Sequence, residues 1–132
     1  MTEEAQTTEK TLFERIGGMA AVDAAVDKMY DKILADPELT PFFEKLDMAK
    51  QRASQKAFVA MAFGGPTNYT GDDLTHAHAR LVKYQGLNDK HFDLVAGHLK
   101  SALEELNVPV ELVNEVLTVV GTTREAVLGR AA

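Results

Sequence analysis

Cysteine is absent from the 132 residues, and that absence removes disulfides, thiolate metal sites and thioether attachment of a prosthetic group. Long apolar runs are also missing. Nowhere do apolar residues continue for the roughly eighteen positions a membrane-spanning helix needs, so a chain with no membrane segment is expected. No block of about five like charges occurs, and no basic patch interleaved with aromatics. With 14 basic against 20 acidic residues the net charge is −6, which makes nucleic acid and anionic membrane poor partners. Catalytic signatures are scarce as well. There is no Gly-rich phosphate loop, nucleophile elbow or H-E-x-x-H pattern, and the steps Gly17-Gly18 and Gly64-Gly65 precede none of these, so they read as backbone devices. Period-two alternation is too short anywhere to argue for a strand.

What is present is an apolar fraction of 45%, enough for a chain of this size to bury about two-thirds of its unfolded surface in one core. One domain over residues 11–132 is expected. Met1 to Lys10 is Thr/Glu-rich, without the apolar core of a signal peptide or the arginines of a transit peptide, and reads as a flexible polar extension. A cytoplasmic monomer fits this composition.

Apolar residues recur at helical spacing from Leu12 onward, so the fold class is all-α. A short helix near Thr11 to Ile16 is stopped by Gly17 and Gly18. A long one follows with Val22, Val26, Met29 or Tyr30, and Ile33 on one face, ending before Pro37. Pro41 lies in a short irregular or one-turn piece carrying Phe42 and Phe43. Asp47 is placed to cap a third helix, about Met48 to Phe63, which stops at Gly64-Gly65-Pro66 before the polar loop Thr67 to Gly71. A shorter helix spans about Asp73 to Lys83. A long one from Asp89 to Leu106 turns Phe92, Val95, Leu99 and Leu103 or Leu106 inward and is closed by Asn107. Pro109 then opens a final helix that runs to about Leu128, with Val113, Val116 or Leu117, Val120 and Val127 on its face.

The informative residues are polar ones on stripes that periodicity assigns to the interior. The third helix turns Met48, Gln51, Gln55, Phe58 and Ala62 inward, and a buried amide without a partner costs roughly 1–3 kcal/mol. Tyr30 shares the face of Val26 and Ile33, so its hydroxyl needs a partner too; Tyr30 and Gln55 could satisfy each other. The fourth helix reads Leu74, His78, Leu81, with the imidazole at the centre of an apolar stripe. Taken singly, such residues are more often core groups bonded to their neighbours. Together they match another need: a planar apolar ligand with a metal at its centre requires one basic nitrogen below and hydrogen-bonding groups above, inside an apolar helical pocket.

The other histidines do not make a metal site. His76 and His78, two apart on a helix, point roughly 200° away from each other, and His91 and His98 are roughly 10 Å apart along their helix. His76, His91 and His98 are expected at the surface.

Phe42-Phe43, Asp47-Met48-Ala49-Lys50-Gln51-Arg52, Gln55-Lys56-Ala57-Phe58, Ala62-Phe63-Gly64-Gly65 and Ala77-His78 resemble the group I truncated haemoglobins of cyanobacteria, green algae and ciliates. The resemblance runs from about Leu12 to Gly129. It implies a truncated globin, a two-over-two helical sandwich enclosing a haem, with the paired glycines as part of that fold. It implies His78 as the proximal iron ligand, and Tyr30, Gln51 and Gln55 as the distal groups that hold the gas. Phe43, Phe58, Leu74, Leu81, Phe92 and Val95 would surround the ring, and Lys50 would reach a propionate. Two departures stand out. Ser54 occupies the position where several relatives carry a histidine or lysine able to bind the iron. No histidine follows His98, whereas some cyanobacterial members attach the haem to one in the last helix. Non-covalent haem b with its iron is therefore expected.

The resemblance implies binding of O2, NO and CO, with oxygen binding or transport as the first reading. Nitric oxide dioxygenation is the catalytic alternative, and it needs a separate electron donor because no flavin or nicotinamide signature is present. The remote alternative is a haem-free helical interaction module, in which Tyr30, Gln55 and His78 form only a core network.

Overall fold

The computed structural model describes residues 11–64, 78–79 and 81–129. The extension Met1 to Lys10, the loop around Pro66, and the first half of the fourth helix with Leu74 and His76 lie outside the described residues. Within them every regular element is helical. The elements are α1 (Leu12–Ile16), α2 (Gly18–Leu34), a 3-10 turn (Thr40–Phe42), α3 (Met48–Ala62), helical residues 78–79 and 81–85, α4 (Asp89–Glu105), α5 (Val110–Gly121) and α6 (Arg124–Val127).

The boundaries follow from local chemistry. Thr11 caps α1 by accepting from the Glu14 amide at 3.2 Å, while the Glu14 carboxylate accepts from the Thr11 amide at 3.1 Å, a reciprocal pairing that satisfies two otherwise orphan donors. Asp47 Oδ1 accepts from the amides of Ala49 and Lys50 at 3.1 and 3.3 Å and starts α3. At the far end of α4 Asn107 adopts φ 63°. The Val108 amide then returns to the Leu103 carbonyl and that of Asn107 to Glu104, the pattern that closes helices ending in a left-handed residue.

Two glycines are required by geometry. Gly17 has φ 122°, and a Cβ there would lie 3.0 Å from Ala21 Cβ; Gly64 has φ 94°, and its Cβ would lie 3.0 Å from Thr11 Cβ. The close approach at Gly64 lets the Phe13 amide donate to the Phe63 carbonyl at 2.8 Å. The start of α1 is thereby fastened to the end of α3.

The broadest helix contact is α2 on α4; α3 covers α2, α5 lies on α4, and α1 bridges α2 and α5. Val22, Val26, Met29 and Ile33 from α2 meet Leu103, Val113 and Val116 in the core, each no more than 2% exposed. Burying each such side chain is worth about 1.5–3 kcal/mol. The Arg15 fork grips both oxygens of Glu115 at 2.6 and 2.8 Å, tying α1 to α5.

Three expectations change. The final helix is broken, because the Thr122 and Thr123 hydroxyls donate to the carbonyls of Val119 and Val120 at 2.5 and 2.7 Å and compete with continuation of the helix. Arg124 then anchors α6 to α4 through Asp89 and Asp93. Residues 81–85 are helical, so the end expected at Lys83 falls instead at Gln85, followed by Gly86 with φ 72°. His91 and His98 are half-buried rather than exposed, since each has a partner on another element or turn.

Candidate functional site

One cavity of about 790 Å³ opens between α2, α3, α4, the turn after α2 and the segment carrying His78. Small-molecule and cofactor sites occupy roughly 300–1,000 Å³, whereas ordinary cores hold few voids larger than a water molecule. Its walls are mainly apolar. Phe43 and Phe58 line it, as do Leu81, Phe92 and Val95, and His78 borders it from the helical residues 78–79. Ser54 is at the exposed rim of the same chamber. Lys50 is exposed and outside the lining, and Leu74 lies outside the described residues.

Where α2 meets α3 the chamber is lined by the polar residues Tyr30, Gln51, Ser54 and Gln55. Tyr30 is 2% exposed. Gln51 Nε2 donates to its hydroxyl at 3.1 Å, and the hydroxyl in turn reaches Gln55 Oε1 at 3.5 Å. The second distance is at the outer limit of a hydrogen bond. Gln51, rather than the Gln55 that spacing favoured, is therefore the closer partner. Phe43 meets the Tyr30 ring edge-on, with centroids 5.7 Å apart and planes at 83°, and the Arg52 guanidinium lies 5.6 Å from the ring centroid.

Sequence reasoning passed over Arg52. Its Nη1 donates to the Asp27 carbonyl and carboxylate and its Nη2 to the Asp31 carboxylate, all at 3.1 Å. Lys56, one turn on, donates to Asp27 Oδ2 at 3.3 Å and faces Asp23 at 3.8 Å. The signal was legible in principle: aspartates at 23, 27 and 31 repeat every fourth position on one helix, as do cations at 52 and 56 on the next. Burial alone would raise the Asp27 carboxyl, but hydrogen bonds from Arg52 and Lys56 outweigh it and hold the group below the usual carboxylate range. Desolvation works against the charged Arg52, and its bonds to Asp31 and Asp27 overcome that and raise it.

Of the two other described histidines, His91 also lines the cavity while His98 serves the frame. His91 Nδ1 accepts from the Asn88 amide at 3.2 Å, capping α4, and its ring packs edge-on against Phe42 with centroids 4.8 Å apart. His98 Nε2 pairs with Asp36 Oδ2 at 2.8 Å. That contact holds the Asp36 carboxyl below its ordinary range, helped by the Glu38 amide. Asp36 also accepts from the amides of Leu39 and Thr40 through its carbonyl, so it shapes the turn that delivers Phe42 and Phe43 to the cavity.

Among the described residues no group of three or more His, Asp or Glu side chains could hold a bare metal ion. The two imidazoles that border the cavity, His78 and His91, are too few for that. A metal already chelated by a planar macrocycle needs only one such axial donor, together with an apolar slot for the ring. The donor set and the chamber fit haem.

Residues 11–128 match the model of the bacterial-like globin family. The chain is 50% identical over 111 residues to a group 1 truncated haemoglobin of Synechocystis sp., an alignment covering 84% of this chain and 90% of that protein. It is 38% identical over 121 residues to a group 1 truncated haemoglobin of Tetrahymena pyriformis, covering 92% and 97%. Among solved structures, the 2/2 haemoglobin of Synechococcus sp. PCC 7002, in the cyanomet state and with covalently attached haem, matches with a TM-score of 0.86 at 47% identity. That match covers 92% of this chain and 100% of the other. Fold, cavity and relatives agree: the chain belongs to the bacterial-like globin family, as a truncated haemoglobin of the two-over-two kind, a family that binds haem with its iron and small gases.

Proposed function

We propose that His78 is the axial donor to a non-covalent b-type haem in this cavity, and that Tyr30, Gln51 and Gln55 hold the gas on the opposite side. The observation that carries this reading is the convergence of His78 and a Tyr–Gln cluster on one mainly apolar chamber, whose other imidazole, His91, has its Nδ1 engaged by the Asn88 amide. A haem-free interaction module has no use for so large an internal cavity.

When bound, haem supplies an iron able to take a diatomic gas such as O2, NO or CO. His78 would hold that iron through its neutral imidazole. Phe43 and Phe58 would exclude water on the gas side, Leu81, Phe92 and Val95 would contact the ring with Leu74 as a further neighbour, and the exposed Lys50 would reach a propionate. The Tyr30 hydroxyl donates toward the guest, and the Gln51 amide, donating to the Tyr30 oxygen, polarises that O–H further. Gln55 offers a second amide. Ser54 supplies no strong ligand of its own. Non-covalent attachment is supported by the corner between α5 and α6, where Thr123 lines the cavity and no histidine follows His98.

The same arrangement supports oxidation of nitric oxide. Oxygen held against Tyr30 and Gln51 combines with NO and one electron to give nitrate, the electron coming from a separate reductase. The test is the visible spectrum of the purified protein titrated with haem. A Soret band is expected, lost or strongly altered in His78→Ala while far-ultraviolet circular dichroism stays helical. A folded His78→Ala with an unchanged spectrum would refute the assignment.

A further inference from the structure

Each glutamine facing Tyr30 is followed directly by a cation pinned to α2: Gln51 by Arg52 and Gln55 by Lys56. The pins land on one stripe, Asp23, Asp27 and Asp31, which flanks Tyr30 on the outer face of α2. Arg52 carries the stronger hold, gripping Asp27 twice and Asp31 once at 3.1 Å, whereas the Lys56 contacts are longer. Its guanidinium also lies 5.6 Å from the Tyr30 ring centroid. A shift of α3 along α2 by a fraction of a turn would carry Gln51 away from the phenol, because a turn of helix is only about 5.4 Å.

We infer that Arg52 is a positioning residue of the gas site. Clamped to Asp27 and Asp31, it sets the register of α3 on α2, keeps Gln51 Nε2 on the Tyr30 hydroxyl, and so fixes the geometry of the Tyr30–Gln51 pair at the cavity wall. The inference rests on the distal role proposed for Tyr30. Geometry rather than charge is the agent, since two carboxylates in hydrogen-bond contact cancel most of the guanidinium's field at the phenol. A lysine cannot reproduce the fork, because its ammonium is a single point of donation on a flexible stem.

The experiment uses the full haem-loaded chain and compares Tyr30→Phe, Arg52→Gln, Arg52→Lys, Asp27→Asn/Asp31→Asn and Tyr30→Phe/Arg52→Gln. Oxygen dissociation is measured by stopped flow, and the CO-bound form carrying ¹³Cζ-labelled tyrosine is followed by NMR. Tyr30 is one of three tyrosines, so its signal is assigned by loss in Tyr30→Phe. Arg52→Gln, Arg52→Lys and the aspartate pair are each expected to speed oxygen release by at least about twofold, the weakest coupling within one side-chain network, and by no more than Tyr30→Phe does. On the Tyr30→Phe background Arg52→Gln should add nothing. The Tyr30 carbon signal should move in Arg52→Gln in the direction it moves in Gln51→Leu. Rescue by Arg52→Lys, or additive effects in the double variant, would overturn the clamp. An unchanged Tyr30→Phe release rate would remove the distal role itself. The carbon signal still decides the clamp in that case, since it reports the Gln51–Tyr30 contact whether or not gas release depends on it.

Discussion

Replacing Tyr30 with phenylalanine isolates one oxygen atom. The ring stays where it is, because it is 2% exposed and held edge-on by Phe43 at 5.7 Å. The loss has two parts. Gln51 Nε2, now 3.1 Å from its acceptor, is left without that acceptor, a destabilisation of about 1 kcal/mol. The gas loses a phenolic donor. Oxygen bound to a ferrous iron carries partial negative charge, and a hydrogen bond to a charged group is worth about 1.5–3 kcal/mol. At about 1.4 kcal/mol per factor of ten, release should accelerate by about ten- to a hundredfold. Reorientation of the freed Gln51 amide toward the gas offsets part of this, so the lower end is expected. The assay is stopped-flow displacement of oxygen by carbon monoxide, paired with the CO dissociation rate. CO is less polarised and its rate should change by less than about threefold. Equal changes for the two gases, or an oxygen rate within about twofold of the parent, would show that the phenol does not act as a donor.

Other consequences follow from the same structure. Ser54→His places an imidazole on the rim of the cavity and should convert the ligand-free spectrum toward a six-coordinate form; an unaltered spectrum would mean that this face of α3 is not above the iron. Leu103→Ala, at a position 1% exposed, should lower unfolding stability in urea by about 3 kcal/mol. Val110→Ala, at 65% exposure, should change it by less than about 0.5 kcal/mol. The Asp36 carboxyl is held below its unfolded value by His98, so its contribution is fully present above about pH 4 and is lost as pH falls through the lowered value. Asp36→Asn should therefore unfold at a lower temperature than the parent at about pH 6, with the gap narrowing as pH falls below about 4; a gap independent of pH would contradict this. Acidified butanone should extract the haem completely, and haem left on the chain would disprove non-covalent attachment.

The helices were legible because each declares itself locally. Thr11, Asp47 and Asn107 are cap residues, Gly17 and Gly64 sit where positive φ is needed, and Val22, Val26 and Ile33 repeat at helical spacing. The residues converging on the cavity were legible for a related reason: Tyr30, Gln51, Gln55 and His78 are polar on apolar stripes, a conflict visible within a single helix. What stayed hidden depends on two elements at once. His98 read as a surface residue because its partner Asp36 is 62 positions away. His91 was missed as a cap, although Asn88 three residues earlier forms the other half of the capping box. The ladder from Asp23, Asp27 and Asp31 to Arg52 and Lys56 needs the register of α3 on α2, which no periodicity supplies. The break after Gly121 was foreseeable, since consecutive threonines at 122 and 123 bond readily to their own backbone.

The account stands most directly on the bond between His78 and the iron, and resonance Raman spectroscopy of the ferrous, ligand-free protein tests it. An iron–imidazole stretching band is expected, shifted by ¹⁵N-histidine labelling, abolished in His78→Gly and restored by adding free imidazole to that variant. A band that persists in folded His78→Gly without added imidazole would contradict it.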